Sequence, residues 1–226
     1  MMNSPTPKDP AQQVSDTIDK TLKNWRGAGR KASISQDELF QATLNLIASG
    51  RSIASLSLRE IAREAGIAPN SFYRHFKDID ELAIALIHQA GAVLRQIIRQ
   101  GRLEARRNKS VVQSSVDVFL AELDADKGYL ALLLREGYAG SVSYKQAVEQ
   151  QLSFFQQELH DDLVRIDTAT KQKHSHPDVL AKAITQLVFN MGAKVIDLSE
   201  LERQQIAEQT IIMIRMLLVG SQHFKQ

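Results

Sequence analysis

The chain has 226 residues, 43% of them hydrophobic, and a formal net charge of only +2. This length and apolar content fit one large core with a small additional module better than two large domains. The absence of cysteine excludes disulfides and thiolate metal sites, and it is typical of a cytosolic protein.

The first 33 residues are predicted to form a flexible basic arm. Residues 1–33 are rich in Pro, Ser and Lys, and they lack the apolar stretch of a secretory signal. Within this arm, residues 11–25 place apolar side chains at helical spacing and are a candidate amphipathic helix. The most apolar late run, IIMIRMLLVG, is interrupted by Arg215 and is too short to span a bilayer. We therefore expect a cytoplasmic protein without membrane contact.

From residue 34 onward the pattern is helical almost throughout, and strand-like alternation between hairpin turns is absent. Ser35, with Glu38 three residues later, indicates a capping box that opens the first helix, and Gly50 ends that helix. Later helices are predicted at residues 58–65, 69–76, 78–107, 111–123, 127–137, 144–167, 178–196 and 200–224. The sequence therefore predicts an all-α fold.

Two short helices follow each other closely in the stretch LREIAREAGIAPNSFYRHF, residues 58–76. Gly66 can take positive φ between them, and Pro69 suits the first position of the second helix. Phe72 and Phe76, four residues apart, anchor one face of that second helix. The remaining polar side chains point away from the core, so the helix suits insertion into the major groove of DNA. This arrangement is a helix-turn-helix.

Basic residues are concentrated in two parts of the chain. Residues 26–77 contain eight Lys or Arg against four acidic residues, and residues 95–109 contain six against one. A solvated helix face is the ordinary explanation for each run. The alternative is that they attract phosphates, of DNA for the first run and of a ligand for the second.

The details of the helix-turn-helix resemble the TetR family of transcriptional repressors. The matching stretch is LREIAREAGIAPNSFYRHFKDIDEL, with Gly66 in the turn and the His75–Phe76 pair after it. Two further stretches, LLLRE at residues 132–136 and VFNMGAKVID at residues 188–197, resemble the FabR/DesT subgroup, which represses unsaturated fatty-acid synthesis or desaturation. The likeness runs from about residue 34 to the end. It implies a DNA-binding domain at 34–80 and a ligand-binding and dimerisation domain at 81–226.

The resemblance implies distinct roles for the polar residues of the helix-turn-helix. Ser71 and Arg74 are expected to contact base edges, and Asn70 is a weaker candidate. Phosphate contacts are expected from Tyr73, His75 and Lys77. Partial core packing is the alternative for Tyr73, and a helix-capping role is the alternative for His75.

Four basic residues outside the second helix are further candidates for DNA contact. Arg59, at the start of the preceding helix, could reach a base or a phosphate. Arg26, Arg30 and Lys31 precede the first helix, and such an arm can enter an adjacent minor groove. A disordered basic tail is the alternative for these three.

The family resemblance also implies that residues from about 87 onward act as a sensor. A ligand in the interior of this domain tilts the fourth helix and changes the spacing of two DNA-reading heads in a homodimer on a palindromic operator. Apolar stripes on the last two helices would form the dimer interface, or else part of the intrachain core. These stripes consist of Val179, Ile184, Leu187, Val188, Met191, Val195, Ile206, Ile211, Met213, Ile214, Leu217 and Leu218.

A long-chain acyl-CoA or acyl-carrier-protein thioester is the expected effector, and no cofactor is expected. The pocket for its apolar chain would be lined by seven residues, for each of which ordinary packing in the core is the alternative: Phe119, Leu123, Tyr129, Leu133, Phe154, Phe155 and Phe189. Arg135 could meet a phosphate or carbonyl of the ligand, or else a helix-end carbonyl or Glu136. The alternatives for the whole protein are a repressor that senses a drug or a bile-salt-like compound, and a helical lipid- or partner-binding protein without DNA function.

Catalysis is not expected from this sequence. His174, His176 and Asp178 lie close together, but they lack the i, i+4 histidine spacing and upstream glutamate of a zinc hydrolase helix. A Gly-rich phosphate loop, a nucleophile elbow and a cysteine nucleophile are all absent. We therefore predict neither an enzyme nor a metal site.

Overall fold

The computed structural model describes residues 34–105, 110–123, 128–170, 173–196 and 198–224. The predicted arm, its candidate helix and the basic residues Arg26, Arg30 and Lys31 lie outside the described residues, as do residues 106–109 of the second basic run. The described part of the chain is helical, with no strand. The prediction of an all-α fold is confirmed.

The α-helices follow the predicted order closely. They are α1 (Gln36–Ile47), α2 (Leu58–Glu64), α3 (Pro69–Phe72), α4 (Ile79–Ala105), α5 (Val111–Ala121), α6 (Tyr129–Ala139), α7 (Val142–Thr170), α8 (Pro177–Val195) and α9 (Glu200–His223). A short 3₁₀ turn, Ile53–Ser55, was not predicted and lies between α1 and α2.

Local sequence signals explain where several helices begin. The predicted capping box at Ser35 and Glu38 is present, and equivalent boxes open α2 at Ser57 and α9 at Ser199. At Ser35 and Ser57 the serine side chain accepts the N3 backbone N–H, and in all three boxes the N3 glutamate accepts the serine backbone N–H. Pro69 occupies the first turn of α3, where a missing backbone N–H costs nothing.

The three N-terminal helices and the 3₁₀ turn form a head, defined as residues 34–76. Leu39, Ile53, Ile61 and Phe72 are fully buried in it. The head core continues without a break into the buried side chains of α4 and α6. The 3₁₀ turn packs on α4, and α1 packs on α6, so the head is in direct contact with the rest of the molecule.

The remaining helices form the body around α4. Helix α4 packs on α5, α6 and α7, while α8 packs on α6, α7 and α9. The stretch Ile79–Arg102 is long and apolar enough to cross a membrane by those two criteria alone. Its side chains Leu82, Leu86, Ile87 and Leu94 are buried in the protein core, as expected for the central helix of a helical domain.

Candidate DNA-binding surface and effector cavity

The turn of the helix-turn-helix is built as the sequence predicts. Gly66 has φ of +69°, a conformation that costs glycine nothing and strains other residues. Its N–H donates to the Arg63 carbonyl, and the N–H of Ile67 donates to the Ala62 carbonyl at 2.9 Å. Ile67 is buried behind this turn. Together these contacts end α2 and direct the chain into α3.

Two phenylalanines fix α3 against the head. Phe72 and Phe76 are buried, their ring centroids lie 5.9 Å apart, and Phe76 also stacks on Phe40 at 5.7 Å. Regular α3 ends at Phe72, earlier than predicted, but the chain keeps turning because the N–H groups of His75 and Phe76 both donate to the Phe72 carbonyl. The anchoring role predicted for the two rings is thus present in the fold.

The polar residues expected at DNA lie on the outer side of this anchor. Asn70, Tyr73 and Arg74 are exposed, and Ser71 and His75 are half-buried. Tyr73 leaves 58% of its surface accessible and touches the edge of Phe72, so core packing accounts for little of it. Arg59 in the first turn of α2 and Lys77 after α3 are also exposed.

An ion pair and a set of hydrogen bonds stabilise the first turn of α2. Arg51 Nη1 lies 3.2 Å from Glu60 Oε1, while Glu60 also accepts from the backbone and side chain of Ser57. The Ser57 hydrogen bonds, followed by the bond from Arg51, lower the pKa of Glu60 to about 2. Glu60 is therefore ionised at neutral pH and stabilises the N-terminus of α2.

An apolar cavity of about 530 Å³ lies in the body. Four of the residues predicted for a ligand pocket line it, namely Phe119, Leu133, Phe155 and Phe189. The wall is completed mainly by aliphatic side chains from α4 to α9: Leu94, Ile98, Val111, Val112, Val116, Leu130, Leu152, Leu159, Leu163, Ile166, Ile184, Val188, Ile214 and Leu218.

The other four predicted pocket residues lie outside the cavity wall, each for a structural reason. Leu123 packs on the core at the end of α5. The Tyr129 hydroxyl accepts a hydrogen bond from Gln89 Nε2 at 3.3 Å. Phe154 is turned outward, with the Arg95 guanidinium 4.8 Å from its ring centroid. Arg135 donates to the Ile47 carbonyl of α1 at 3.1 Å, which is the helix-end contact that the sequence left open.

Charged residues at one side of the cavity were not singled out one by one from the sequence. Arg99, Arg102 and Arg165 line it together with Asp162. Arg102 Nε lies 2.9 Å from Asp162 Oδ2, and Arg165 pairs with the same carboxylate. The available signal was the spacing of Arg95, Arg99 and Arg102, which places three guanidinium groups on one side of α4.

A second carboxylate extends this group of charges between α4 and α7. Glu158 lies 3.5 Å from both Arg95 and Arg102. The group thus contains four arginines, Arg95, Arg99, Arg102 and Arg165, and two carboxylates, with which Arg95, Arg102 and Arg165 pair. We call these six residues the arginine mouth.

The apolar stripes predicted for a dimer interface are divided by the structure. Ile184, Val195, Ile211 and Ile214 are buried within the chain, which agrees with the intrachain alternative for those residues. Other apolar residues of the last two helices are exposed instead: Val179, Leu201, Ile212, Met216 and Val219.

The histidines near residue 175 have a structural explanation. His174 is buried and bonds through its ring Nδ1 to Asp167, while its Nε2 faces Gln222 of α9. The N–H of Ser175 donates to the Ser221 carbonyl. This loop thus ties the end of α7 to the end of α9. Across the described residues, no group of three or more His, Cys, Asp or Glu side chains is arranged to hold a metal ion.

Comparison with known proteins agrees with this architecture. Residues 39–86 match the family described as bacterial regulatory proteins, tetR family. That segment contains α2, the turn at Gly66, α3 and the first turns of α4, and it includes the predicted contact residues from Arg59 to Lys77.

Solved structures share the fold over almost their whole length. A Rhodococcus sp. protein described as a TetR-family transcriptional regulator superposes with a TM-score of 0.61 at 19% identity, covering 81% of this chain and 97% of that chain. The fatty acid degradation regulator FadR from Bacillus halodurans superposes with a TM-score of 0.62 at 14% identity, covering 84% of this chain and 97% of that chain.

The multidrug binding protein EbrR, complexed with malachite green, gives a TM-score of 0.59 at 16% identity, covering 81% of this chain and 97% of its own. At these identities the structural likeness establishes the fold, while the match over residues 39–86 concerns the DNA-binding segment itself. Residues 39–86 thus carry a segment that matches the tetR family, and the described part of the chain has a TetR-like helical fold.

Proposed function

We propose that this protein is a dimeric repressor whose effector is a long-chain acyl thioester, acyl-CoA or acyl-carrier protein, and whose targets are genes of unsaturated fatty-acid synthesis or desaturation. The observation that carries the effector class is the pairing of an apolar cavity with the arginine mouth. The acyl chain of such a ligand would fill the cavity, and its anionic phosphate group would pair with the arginine mouth.

The cavity favours a ligand with a long apolar portion. Its volume of about 530 Å³ falls within the range typical of small-molecule sites. Aliphatic and aromatic side chains dominate its wall, and Ser115 and Thr185 are the uncharged hydroxyl groups among its lining residues. A ligand buried there gains mainly from removal of apolar surface from water.

The arginine mouth favours an anion beside the apolar wall of the cavity. Asp162 forms ion pairs with both Arg102 and Arg165, and Arg99 makes no ion pair with any residue that the structure describes. Guanidinium groups bind phosphate strongly and bidentately. The phosphates of coenzyme A, or the phosphopantetheine phosphate of acyl-carrier protein, would supply the missing negative charge.

The choice of target genes is supported by the sequence stretches that resemble the FabR/DesT subgroup. The fold likeness to FadR of Bacillus halodurans, a fatty acid degradation regulator, is compatible with a fatty-acyl effector.

Dimerisation is supported by the exposed apolar residues of α9. Ile212, Met216 and Val219 lie at i, i+4 and i+7 and are more than half exposed. A stripe of this spacing is the usual way in which a helix packs on another helix. We infer that a second copy covers it, using the last two helices as the resemblance implies.

A second candidate effector is an apolar drug, because EbrR binds malachite green on the same fold. The arginine mouth argues against a cationic dye of that kind, since it contains four guanidinium groups and only two carboxylates. If the effector is a drug, the cavity would accept one that is apolar and either neutral or anionic. A helical protein without DNA function is the further alternative, and it predicts no salt-dependent affinity for duplex DNA.

The deciding experiment is a binding titration against duplexes that carry promoter regions of unsaturated fatty-acid synthesis genes. It is run at fixed salt with and without palmitoyl-CoA or oleoyl-CoA. DNA affinity that differs between the two acyl-CoA types supports the proposal. Tight binding that ignores both compounds overturns the effector, and absence of duplex binding after selection from random sequences overturns the DNA function.

A further inference from the structure

Two consecutive residues of α6 hold the head by its backbone. Arg135 Nη1 donates to the carbonyl of Ile47, the last residue of α1, at 3.1 Å. Glu136 Oε1 accepts the backbone N–H of Ile53 at 2.8 Å, and its Oε2 accepts the Ser52 hydroxyl at 3.0 Å. We call this pair of residues the clasp.

The charges of the clasp suit the two backbone ends that they contact. The C-terminus of α1 carries partial negative charge, which a guanidinium neutralises. The N-terminus of the 3₁₀ turn presents N–H groups that lack a partner within the turn, which a carboxylate accepts. Both interactions therefore depend on the place where α1 ends and the turn begins.

Burial makes the glutamate half of the clasp hard to release. Glu136 has no exposed surface, and the hydrogen bonds to its carboxylate come from Ser52 and Ile53 of the head. A small shift of the head that broke these bonds while the carboxylate stayed buried would leave a buried charge unpaired, which is strongly unfavourable. A Cβ at Gly140 would lie 2.7 Å from Glu136 Oε2, so glycine at that position permits the close packing around the carboxylate.

The same helix lines the cavity one turn earlier. Leu130 and Leu133 are in the cavity wall, and Leu133 precedes Glu136 by three residues, which places the two on adjacent parts of one helix face. Helix α6 thus touches the cavity with one turn and the head with the next. Together with α4, it provides a second physical connection between the cavity and the DNA-binding surface.

We propose that Arg135 and Glu136 are positioning residues that fix the orientation of the DNA-binding head relative to the cavity-lining helix α6. Neither residue contacts the cavity or the outer side of α3. Their effect on DNA binding is exerted through the head backbone at Ile47 and Ile53. Transmission of an effector signal by this route rests on the proposed function, whereas the positioning itself does not.

The positioning role can be tested without DNA or effector. The chain lacks cysteine, so Arg63→Cys on α2 and Lys182→Cys on α8 introduce a unique pair of labelling sites on exposed positions. Single-molecule energy transfer between dyes at these sites reports the distance from head to body. Diluting labelled chains with unlabelled chains restricts the signal to one subunit.

Four versions of the labelled protein are compared: the parent, Glu136→Gln, Arg135→Met and Tyr138→Ala. Tyr138 is the matched control because it lies on α6 beside the clasp and is 82% exposed. We expect a single narrow distance distribution for the parent and for Tyr138→Ala. We expect a shifted or broadened distribution for Glu136→Gln and Arg135→Met, with helix content by circular dichroism unchanged.

An unchanged distribution in the folded clasp variants would overturn the proposal, since apolar packing alone would then orient the head. If Glu136→Gln does not fold, Arg135→Met decides the matter, because it leaves the hydrogen bonds of Glu136 in place. A second measurement compares DNA affinity with and without oleoyl-CoA for the same proteins. In the clasp variants we expect the ratio of the two affinities to move toward one while oleoyl-CoA still binds.

The distance measurement and the DNA-affinity measurement test separate claims. A parent protein whose DNA affinity ignores oleoyl-CoA overturns the proposed effector and leaves the distance result standing. If the clasp variants and the parent show the same ratio of DNA affinities with and without oleoyl-CoA, the clasp does not transmit the effector signal.

Discussion

Arg74 lies in the head and Lys77 directly follows it, and both are exposed, yet their chemistry suits them to different contacts with DNA. A guanidinium can donate two parallel hydrogen bonds to one guanine, whereas an ammonium acts as a point charge toward phosphate. Sequence information is therefore expected to depend on Arg74, and general affinity on Lys77. This division belongs to single residues and can be measured on each.

Replacing Arg74 by alanine should relax base preference at one position in each half-site. We expect a loss of discrimination of roughly 1–3 kcal/mol at that position, measured by binding to a panel of single-base operator variants. Lys77→Ala serves as the comparison. It should weaken all duplexes alike and reduce the slope of log affinity against log salt by about one. An unaltered base preference in Arg74→Ala would remove this residue from the readout.

Arg99 offers a residue-level test of the arginine mouth. Arg99→Gln removes a guanidinium that lines the cavity and has no ion pair within the described residues. We expect palmitoyl-CoA to bind with roughly 1.5–3 kcal/mol less free energy, because hydrogen bonds to charged groups contribute about that much. Isothermal titration calorimetry measures the loss, and Lys182→Gln on α8 is the control for a change of charge elsewhere. Equal affinity in both variants would contradict a phosphate contact at Arg99.

At the scale of elements, the sequence predicted most of the fold because helix signals are local. The capping boxes, Pro69 and Gly66 each act within a few residues, so the order of the helices and the turn of the helix-turn-helix could be derived without tertiary contacts. The 3₁₀ turn was missed because it spans only three residues and because the N–H of Ile53 is held by Glu136, which lies more than eighty residues away in the chain. Such a contact has no local signature.

The capping box of α2 predicts a pH dependence of head stability. The pKa of Glu60 is lowered to about 2 in the folded protein from its ordinary value of 4.5, chiefly by hydrogen bonds from Ser57. A lowered pKa stabilises the fold above the ordinary value, and this contribution is lost as pH falls from about 4.5 toward about 2. Thermal unfolding of the parent and Glu60→Gln should therefore converge over that window. A constant difference between them across the same pH range would contradict the assignment.

The close packing of α4 on α7 predicts a cost for side-chain volume at Gly91. A Cβ there would lie 2.4 Å from Gln151 Oε1, and Gln151 is held in place by Arg95 at 2.7 Å and by His88 at 2.7 Å. We expect Gly91→Ala to destabilise the protein by about 1–3 kcal/mol in urea unfolding, as overpacking does. A double-mutant cycle with Gln151→Ala should show coupling of about 0.5–3 kcal/mol. Additive effects would contradict a direct clash.

At the scale of the whole molecule, periodicity identified the apolar helices but not what covers them. Ile184, Ile211 and Ile214 were candidates for a dimer interface on spacing alone, and they are buried within the chain. A stripe that faces the core and one that faces a second subunit have the same period, so one sequence cannot separate them. The cavity posed the same problem: four of its predicted lining residues are in its wall, and four have other partners.

The exposed stripe of α9 predicts the effect of one charge on assembly. Met216 is 67% exposed at the middle of the stripe formed with Ile212 and Val219. Met216→Glu should convert a dimer into monomers in analytical ultracentrifugation, because burying an unpaired carboxylate is strongly unfavourable. Gln150→Glu on the exposed side of α7 adds the same charge as a control. A Met216→Glu protein that stays dimeric at micromolar concentration would place the interface elsewhere.

Helix α4 connects the cavity directly to the head. Ile98 lines the cavity, and Ile79 begins the helix beside the head nineteen positions earlier. At a rise of about 1.5 Å per residue they are separated by about 28 Å, so a rotation of about 5° at Ile98 displaces Ile79 by about 2.5 Å. Two subunits moving in opposite directions would change the separation of their heads by about 5 Å, more than the ~3.4 Å advance of one base pair. If the protein binds DNA as a dimer, a tilt of about 5° would therefore be large enough to move its two heads out of register with two operator half-sites.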